Sequence, residues 1–167
     1  MPLKSQKKIA ICPGSFDPPT DGHINIIERG LEVFDHIIVA VAINRSKKGL
    51  FDPSERVEML TELLKAHKKR ITVDSFTGLL VNYCAQKKVK TILRGIRTVS
   101  DYEYELQMSL ANRILHPDID TLFMMTEGRY SHISSSIIKE ILAFGGSGKG
   151  MIHSFVEKKL KEKLKTK

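Results

Sequence analysis

Apolar residues along this chain recur in two alternating rhythms. Short runs rich in β-branched residues, at positions 8–11, 36–43, 71–76, 91–93 and 121–125, predict five strands. The second run, Ile37-Ile38-Val39-Ala40-Val41-Ala42-Ile43, is apolar at every position, as expected of a central parallel strand covered on both faces. Between the runs the period changes. Ile24, Ile27, Leu31 and Phe34 recur at helical spacing and predict a first helix with one buried face. Asp52-Pro53-Ser54-Glu55 supplies an N-cap, a first-turn proline and a capping-box acid for a second helix over Val57, Leu60, Leu63 and Leu64. Further helices are expected over 78–87, 99–115 and about 134–144, and a last amphipathic one over 152–164. Strands alternating with helices five times over predict an α/β fold, a doubly wound five-stranded parallel sheet in one domain spanning 1–167. Such sheets bind ligands beyond the carboxyl ends of their strands, where the strand order reverses.

Composition narrows the partners. The net charge of +8 suggests nucleic acid until it is located. Residues 1–8 carry three lysines and no acid, and residues 157–167 carry six lysines against Glu157 and Glu162. The two ends thus hold seven of the eight net charges and read as solvated tails, so no nucleic-acid partner is expected. No run approaches the ~20 apolar residues of a membrane span, so no membrane partner is expected. The opening MPLKSQKK is not followed by a leader-type apolar stretch, and a cytoplasmic protein is expected. Cys12 and Cys84 lie in apolar segments without metal or disulfide spacing and read as small buried hydrophobes.

Chemistry concentrates after four of the strands. The first leads into Pro13-Gly14-Ser15-Phe16-Asp17 and Thr20-Asp21-Gly22-His23, the second into Asn44-Arg45-Ser46-Lys47-Lys48, and the fourth into Arg94-Gly95-Ile96-Arg97. After the fifth, Tyr130-Ser131-His132-Ile133-Ser134-Ser135-Ser136 opens a helix. Each piece has an ordinary reading: a capped surface histidine, a serine N-cap cluster, solvated lysines, a turn glycine. Together at one sheet edge they predict a polyphosphate cradle, because helix starts, cations and hydroxyls all favour anions. Pro13 and Gly14 are expected to turn the chain off the first strand, so that His23 points at a reacting phosphate. Gly145-Gly146-Ser147-Gly148-Lys149-Gly150 imitates a phosphate loop. It lacks the first glycine, where Ala143 stands, and the hydroxyl after the lysine, and it reads as a break between helices.

"PGSFDPPTDGH", "RGIR" and "ISSS", in this order and spacing, resemble the nucleotidyltransferases with a T/H-x-G-H signature. "SKKGLF", "ILRGIR" and "DYEYELQMSLANR" make the chain similar to their bacterial phosphopantetheine adenylyltransferase branch, over about residues 8–160. The resemblance implies a Rossmann-like nucleotidyltransferase fold and AMP transfer from ATP to 4′-phosphopantetheine. The products would be dephospho-coenzyme A and pyrophosphate, with Mg2+ carried by the ATP phosphates and no protein side chain as metal ligand. It further implies a homohexamer and coenzyme A as a feedback ligand. By the same resemblance His23, Lys47 and Arg94 would be catalytic, and Ser15, Lys47, Leu80 and Arg94 would hold the acceptor. Ser15, Phe16, His23, Gly95, Ile96, Arg97, Glu105, Tyr130, Ser131, His132, Ile133, Ser134, Ser135 and Ser136 would hold ATP. Cys12, Pro19 and Asp21 depart from the residues usual in relatives, and Lys139 stands where several sister families place arginine. None of these changes removes a charge-bearing contact.

Three alternatives stay open at this level. A sister enzyme acting on nicotinate or nicotinamide mononucleotide, or a glycerol phosphate cytidylyltransferase, shares the nucleotide motifs. A catalytically idle nucleotide-binding module would not need His23, Lys47, Arg94 and Arg97 intact. A basic RNA-binding domain would depend on the terminal lysines and on salt.

Overall fold

The computed structural model describes residues 7–44, 46 and 48–165. Five parallel strands, β1 (Ile9–Gly14), β2 (His36–Ile43), β3 (Ile71–Thr77), β4 (Thr91–Ile96) and β5 (Asp120–Met125), lie in the order β3-β2-β1-β4-β5. Alternation along the strands divides the core into two layers. Ala10, Cys12, Ile37, Val39 and Val41 face one side, under Ile27 and Leu31 of α1 (Asp21–Val33) and Leu60 of α2 (Pro53–Leu63). Ile11, Ala40 and Ile92 face the other, under Val81 and Cys84 of α3 (Leu80–Lys87). Both cysteines are buried free thiols; burial pushes Cys12 up to about 11 against the opposing charge of Arg94, so it is no ready nucleophile.

The order reverses between β1 and β4, and there the sheet opens. β1 and β4 pair only at Ile11 with Ile92, although β1 continues to Gly14 and β4 to Ile96. The strands therefore diverge toward their carboxyl ends and leave a cleft at the switch point. α4 (Val99–Leu115) flanks this opening, and α5 (Ser135–Ala143) starts beside it.

Several boundaries move from their sequence-based positions. Pro13 and Gly14 do not turn the chain: β1 runs through both, and the reversal falls on Phe16, whose φ is +47°. Arg94-Gly95-Ile96 lies inside β4 instead of after it. Gly95 serves no turn; a Cβ there would sit 2.8 Å from Ile26 Cγ1, so the glycine lets α1 approach the sheet. The third helix starts at Leu80 because Gly78 adopts φ +84°. The last, α6 (Ser154–Lys165), starts two residues late. The glycine segment 145–150 does separate α5 from α6.

α6 is not a solvated tail. Val156 and Leu160 are buried with Met59, Ile138 and Leu142 in a third apolar cluster. Lys159 and Lys163 pair with Glu58 and Glu55 of α2 at 2.9 and 2.8 Å. Net charge counted along the sequence could not show that these lysines face acids in a helix a hundred residues earlier.

Candidate active site

The site begins with the cap of α1. Thr20 is the N-cap, and its Oγ1 accepts the His23 N–H at 3.3 Å. His23 occupies the third helical position, where its side chain returns the bond: Nδ1 accepts the Thr20 backbone N–H at 3.0 Å. This is a capping box with histidine in place of the usual Glu or Gln. The Thr20 N–H is an obligate donor, so it fixes the tautomer: Nδ1 is the bare nitrogen and Nε2 carries the hydrogen. The ring is also held by Phe16, edge-on at 5.1 Å between centroids. Phe16 in turn folds over Gly14, where a Cβ would lie 2.9 Å from the aromatic ring.

Burial, together with Arg97 and Arg94 nearby, lowers the His23 pKa to about 4. The imidazole is therefore a neutral Nε2–H donor at physiological pH, not a cation. Imidazole 15N spectra of the free protein should show the Nε2–H tautomer, with protonation centred near pH 4. A midpoint at 6.5 would refute this arrangement. The sign for stability follows. Above pH 6.5 the ring is neutral in both folded and unfolded chains. As pH falls from 6.5 toward 4 only the unfolded chain gains the proton, so this group makes the fold progressively less stable across that window.

Arg94 projects from β4 into the opening between β1 and β4. Its Nε donates to Glu105 Oε2 of α4 at 2.8 Å, its Nη2 to Glu105 Oε1, and its Nη1 to the Pro13 carbonyl. Arg97 is held in the same manner one turn earlier on α4. Its Nε and Nη2 meet Asp101 at 2.9 and 3.1 Å, and its Nη1 meets the Ile133 carbonyl at 2.6 Å. In each guanidinium three of five N–H groups are engaged, leaving two to meet an anion. The carboxylates fix the forks in advance, so little reorientation is needed when charge arrives.

On the far side, Ser134 caps α5 by accepting the Ile137 N–H at 3.1 Å, and Ser135 Oγ donates to the Pro18 carbonyl at 2.8 Å. The start of α5 is thereby held against the β1–α1 connection.

Two clefts meet on these residues. The smaller, about 260 Å3, is lined by Phe16, His23, Gly95, Arg97, Ser134 and Ser135 among others. The larger, about 840 Å3, runs toward α3 and α4 over Ala42, Phe76, Leu80, Tyr104 and Met108 and does not include His23. Pro13, Gly14, Ser15, Arg94 and Glu105 belong to both walls. One chamber is narrow and rich in donors, the other broad and largely apolar. The Arg94–Glu105 ion pair stands at their junction.

Residues 11–141 match the cytidylyltransferase-like family model. Phosphopantetheine adenylyltransferase of Desulfosudis oleivorans is 57% identical over 157 residues, covering 94% of this chain and 93% of the relative. That of Carboxydothermus hydrogenoformans is 50% identical over 157 residues, covering 94% and 96%. This chain belongs to the phosphopantetheine adenylyltransferase family. A solved structure from Vibrio parahaemolyticus, assigned as a nicotinate-nucleotide adenylyltransferase, superposes with a TM-score of 0.65 at 20% identity, covering 93% of this chain and 99% of that one. At that identity the likeness speaks to the nucleotidyltransferase fold alone.

In this family member the residues singled out from sequence fall into three groups. Ser15, Phe16, His23, Arg94, Gly95, Arg97, Glu105, Ile133, Ser134 and Ser135 line the smaller cleft, and Leu80 lines the larger. Ile96, Tyr130, Ser131, His132 and Ser136 line neither. Ile96 is buried, Tyr130 packs against the third apolar cluster, and Ser131 Oγ donates to the Gly128 carbonyl. Lys47 lies outside the described residues.

Sequence reasoning missed Asp17, Arg56 and Asp101. From sequence Asp17 enters only as the last residue of the Pro13–Asp17 stretch, and no individual role follows for Arg56 or Asp101. Asp17 and Arg56 are 8% and 7% exposed; Asp17 bonds residues 33 to 122 positions away, and Arg56 reaches both Phe51, five positions back, and Ser15, 41 positions back. Asp101 alone left a legible signal, four positions after Arg97, the spacing of a helical ion pair.

Proposed function

We propose that the acceptor phosphate of 4′-phosphopantetheine attacks the α-phosphorus of ATP directly, in line, at the junction of the two clefts. One oxygen–phosphorus bond forms to the acceptor, and the bond from the α-phosphorus to pyrophosphate breaks. Dephospho-coenzyme A and pyrophosphate result. The reading rests above all on a donor-rich chamber and an apolar chamber sharing the wall of Ser15, Arg94 and Glu105. A nucleotide triphosphate suits the first, and a long pantetheine arm suits the second.

In this scheme the Nε2–H of His23, with Ser15, donates to the α-phosphate as its negative charge shifts. Arg94 and Lys47 neutralise the acceptor phosphate, and Leu80 lines its arm. Arg97 and the α5 start, with Ser134, Ser135 and Ser136, hold the outer phosphates. Phe16, Gly95, Ile96, Glu105 and the stretch from Tyr130 through Ser131 and His132 to Ile133 complete the nucleotide site. No side chain forms a covalent intermediate, so the rate enhancement comes from orientation and charge. Among the described residues no cluster of three or more His, Cys, Asp or Glu could cage a metal. The acids lining the smaller cleft, Asp101 and Glu105, are already engaged by arginines. The residues present do not fit a protein-held magnesium ion; Mg2+ belongs, in this proposal, to the ATP phosphates as part of the substrate.

Pyrophosphate release from ATP, measured in parallel with phosphopantetheine, nicotinamide mononucleotide and glycerol phosphate, tests the assignment. Turnover is expected with the first alone; preference for either other acceptor rejects it. Coenzyme A added to the same assay should inhibit, since it shares both halves of the ligands, and an unchanged rate rejects feedback.

Self-assembly, a hexamer, is proposed on the face of α4 that exposes Val99, Leu110 and Ile114, a helix none of whose residues is buried. Sedimentation as a monomer at micromolar concentration would count against it. Among the described residues no helix is long and apolar enough to cross a membrane. A cytoplasmic enzyme is proposed accordingly.

A further inference from the structure

Asp17 lies on neither cleft wall, yet it is the most connected carboxylate near them. Its Oδ2 accepts the Leu50 N–H at 2.9 Å and the Lys139 ammonium at 3.3 Å. Its Oδ1 accepts the Phe51 N–H at 2.9 Å, and Arg56 Nε lies 3.6 Å away. Arg56 closes the ring. Its Nε and Nη2 donate to the Phe51 carbonyl at 2.8 and 2.6 Å, and its Nη1 to the Ser15 carbonyl at 3.2 Å. Gly49 makes room for that guanidinium, because a Cβ there would lie 1.9 Å from Nη2.

Three segments converge on this carboxylate. The β1–α1 connection carries Ser15 and Phe16 and leads into the first turn of α1, where His23 sits. The β2–α2 connection runs from Asn44 to Asp52 and starts on the wall of the larger cleft at Asn44; Lys47 belongs to that stretch of sequence. The third segment is α5, whose capped start borders the smaller cleft and whose Lys139 reaches Asp17. We propose that Asp17 is a positioning residue for adenylyl transfer, clamping the acceptor-side loop and the triphosphate-side helix to the strand-end loop between them. The inference rests on the function proposed above and concerns how its two halves are kept in register.

Only an ionised carboxylate suits the position. Two N–H groups and an ammonium present hydrogens, a guanidinium adds its charge, and the carboxylate is an acceptor at both oxygens. Burial opposes its ionisation, but the N–H groups of Leu50 and Phe51 and the charges of Lys139 and Arg56 keep its pKa below the usual value. The clamp also reaches the catalytic histidine. Phe16, which precedes Asp17, is held in a left-handed backbone conformation uncommon for an aromatic residue, with its ring against His23.

A purely structural ion cluster and a positioning clamp make different predictions. Lys139→Met cuts Asp17's own tie to α5 and leaves the Ser135–Pro18 bond in place. It should raise the ATP KM and the calorimetric ATP Kd about tenfold and leave the acceptor KM within about twofold, with Lys139→Arg restoring both. Asp17→Asn turns one acceptor into a donor facing a donor, so both KM values should rise and kcat should fall about a hundredfold. In the double variant, Lys139→Met should add nothing to Asp17→Asn. Should Asp17→Asn fail to fold, the Lys139 pair still decides. Wild-type KM and Kd in Lys139→Met, or a lowered Tm in Asp17→Asn with unchanged kinetics, overturns the clamp. Wild-type protein inactive on phosphopantetheine defeats the functional reading instead, and the ATP Kd comparison still tests the clamp.

Discussion

His23→Ala is expected to lower kcat by about 10²–10³-fold, the loss typical of one preorganised donor to developing charge. ATP affinity should stay within about threefold, because Arg97 and the α5 start carry most of the ground-state contact in the proposed mechanism. The substitution also removes the return bond of the capping box and leaves the Thr20 N–H unpaired, at about 1 kcal/mol. Stability and chemistry are therefore mixed in the alanine variant. His23→Gln separates them: glutamine is an ordinary residue at this helical position and can accept the Thr20 N–H. Its urea midpoint should match the wild type while kcat stays depressed. Near-normal turnover in His23→Ala, measured by pyrophosphate release under saturating substrates, would sink the catalytic assignment.

Arg94→Met should produce the largest combined loss of stability and activity. Arg94 satisfies both oxygens of Glu105 and the Pro13 carbonyl at the point where the clefts meet. The Glu105 side chain is 12% exposed, so removing the guanidinium strands a mostly buried carboxylate, at about 3 kcal/mol. The second substitution decides the interpretation. Adding Glu105→Leu removes the stranded charge and should recover most of the unfolding free energy in urea. It should not recover turnover, because the acceptor phosphate still lacks its cation. Activity recovered in the double variant would make Arg94 a structural partner of Glu105 and nothing more.

How far such roles can be read from sequence differs residue by residue. His23 was legible as a helix-start residue from Thr20-Asp21-Gly22-His23, but its tautomer was not. That depended on which nitrogen the Thr20 N–H meets, a matter of geometry over three residues. Arg94 was legible as a cation near a strand end. Its partner Glu105, eleven positions on, enters from sequence only as a nucleotide contact that the resemblance implies. The turn expected at Pro13 and Gly14 was misplaced because proline and glycine signal turns only on average. Here Gly14 serves close approach by the Phe16 ring, and the reversal uses Phe16 itself.

What the sequence determined by itself was periodic or local. Strand and helix periods follow from neighbours within a few residues, as do the cap at Asp52-Pro53-Ser54-Glu55 and the family signature. All of these are encoded where they act. The tertiary structure alone decided the rest. It parts β1 from β4 after Ile11 and Ile92 to open the site. It pairs Arg94 with Glu105, and it seats the lysines of α6 on the glutamates of α2. It gathers three donors and the charge of Arg56 from distant segments on Asp17. Those contacts join residues far apart in the chain, and a charge or hydrogen-bonding group acquires its meaning only from the partner that folding sets against it.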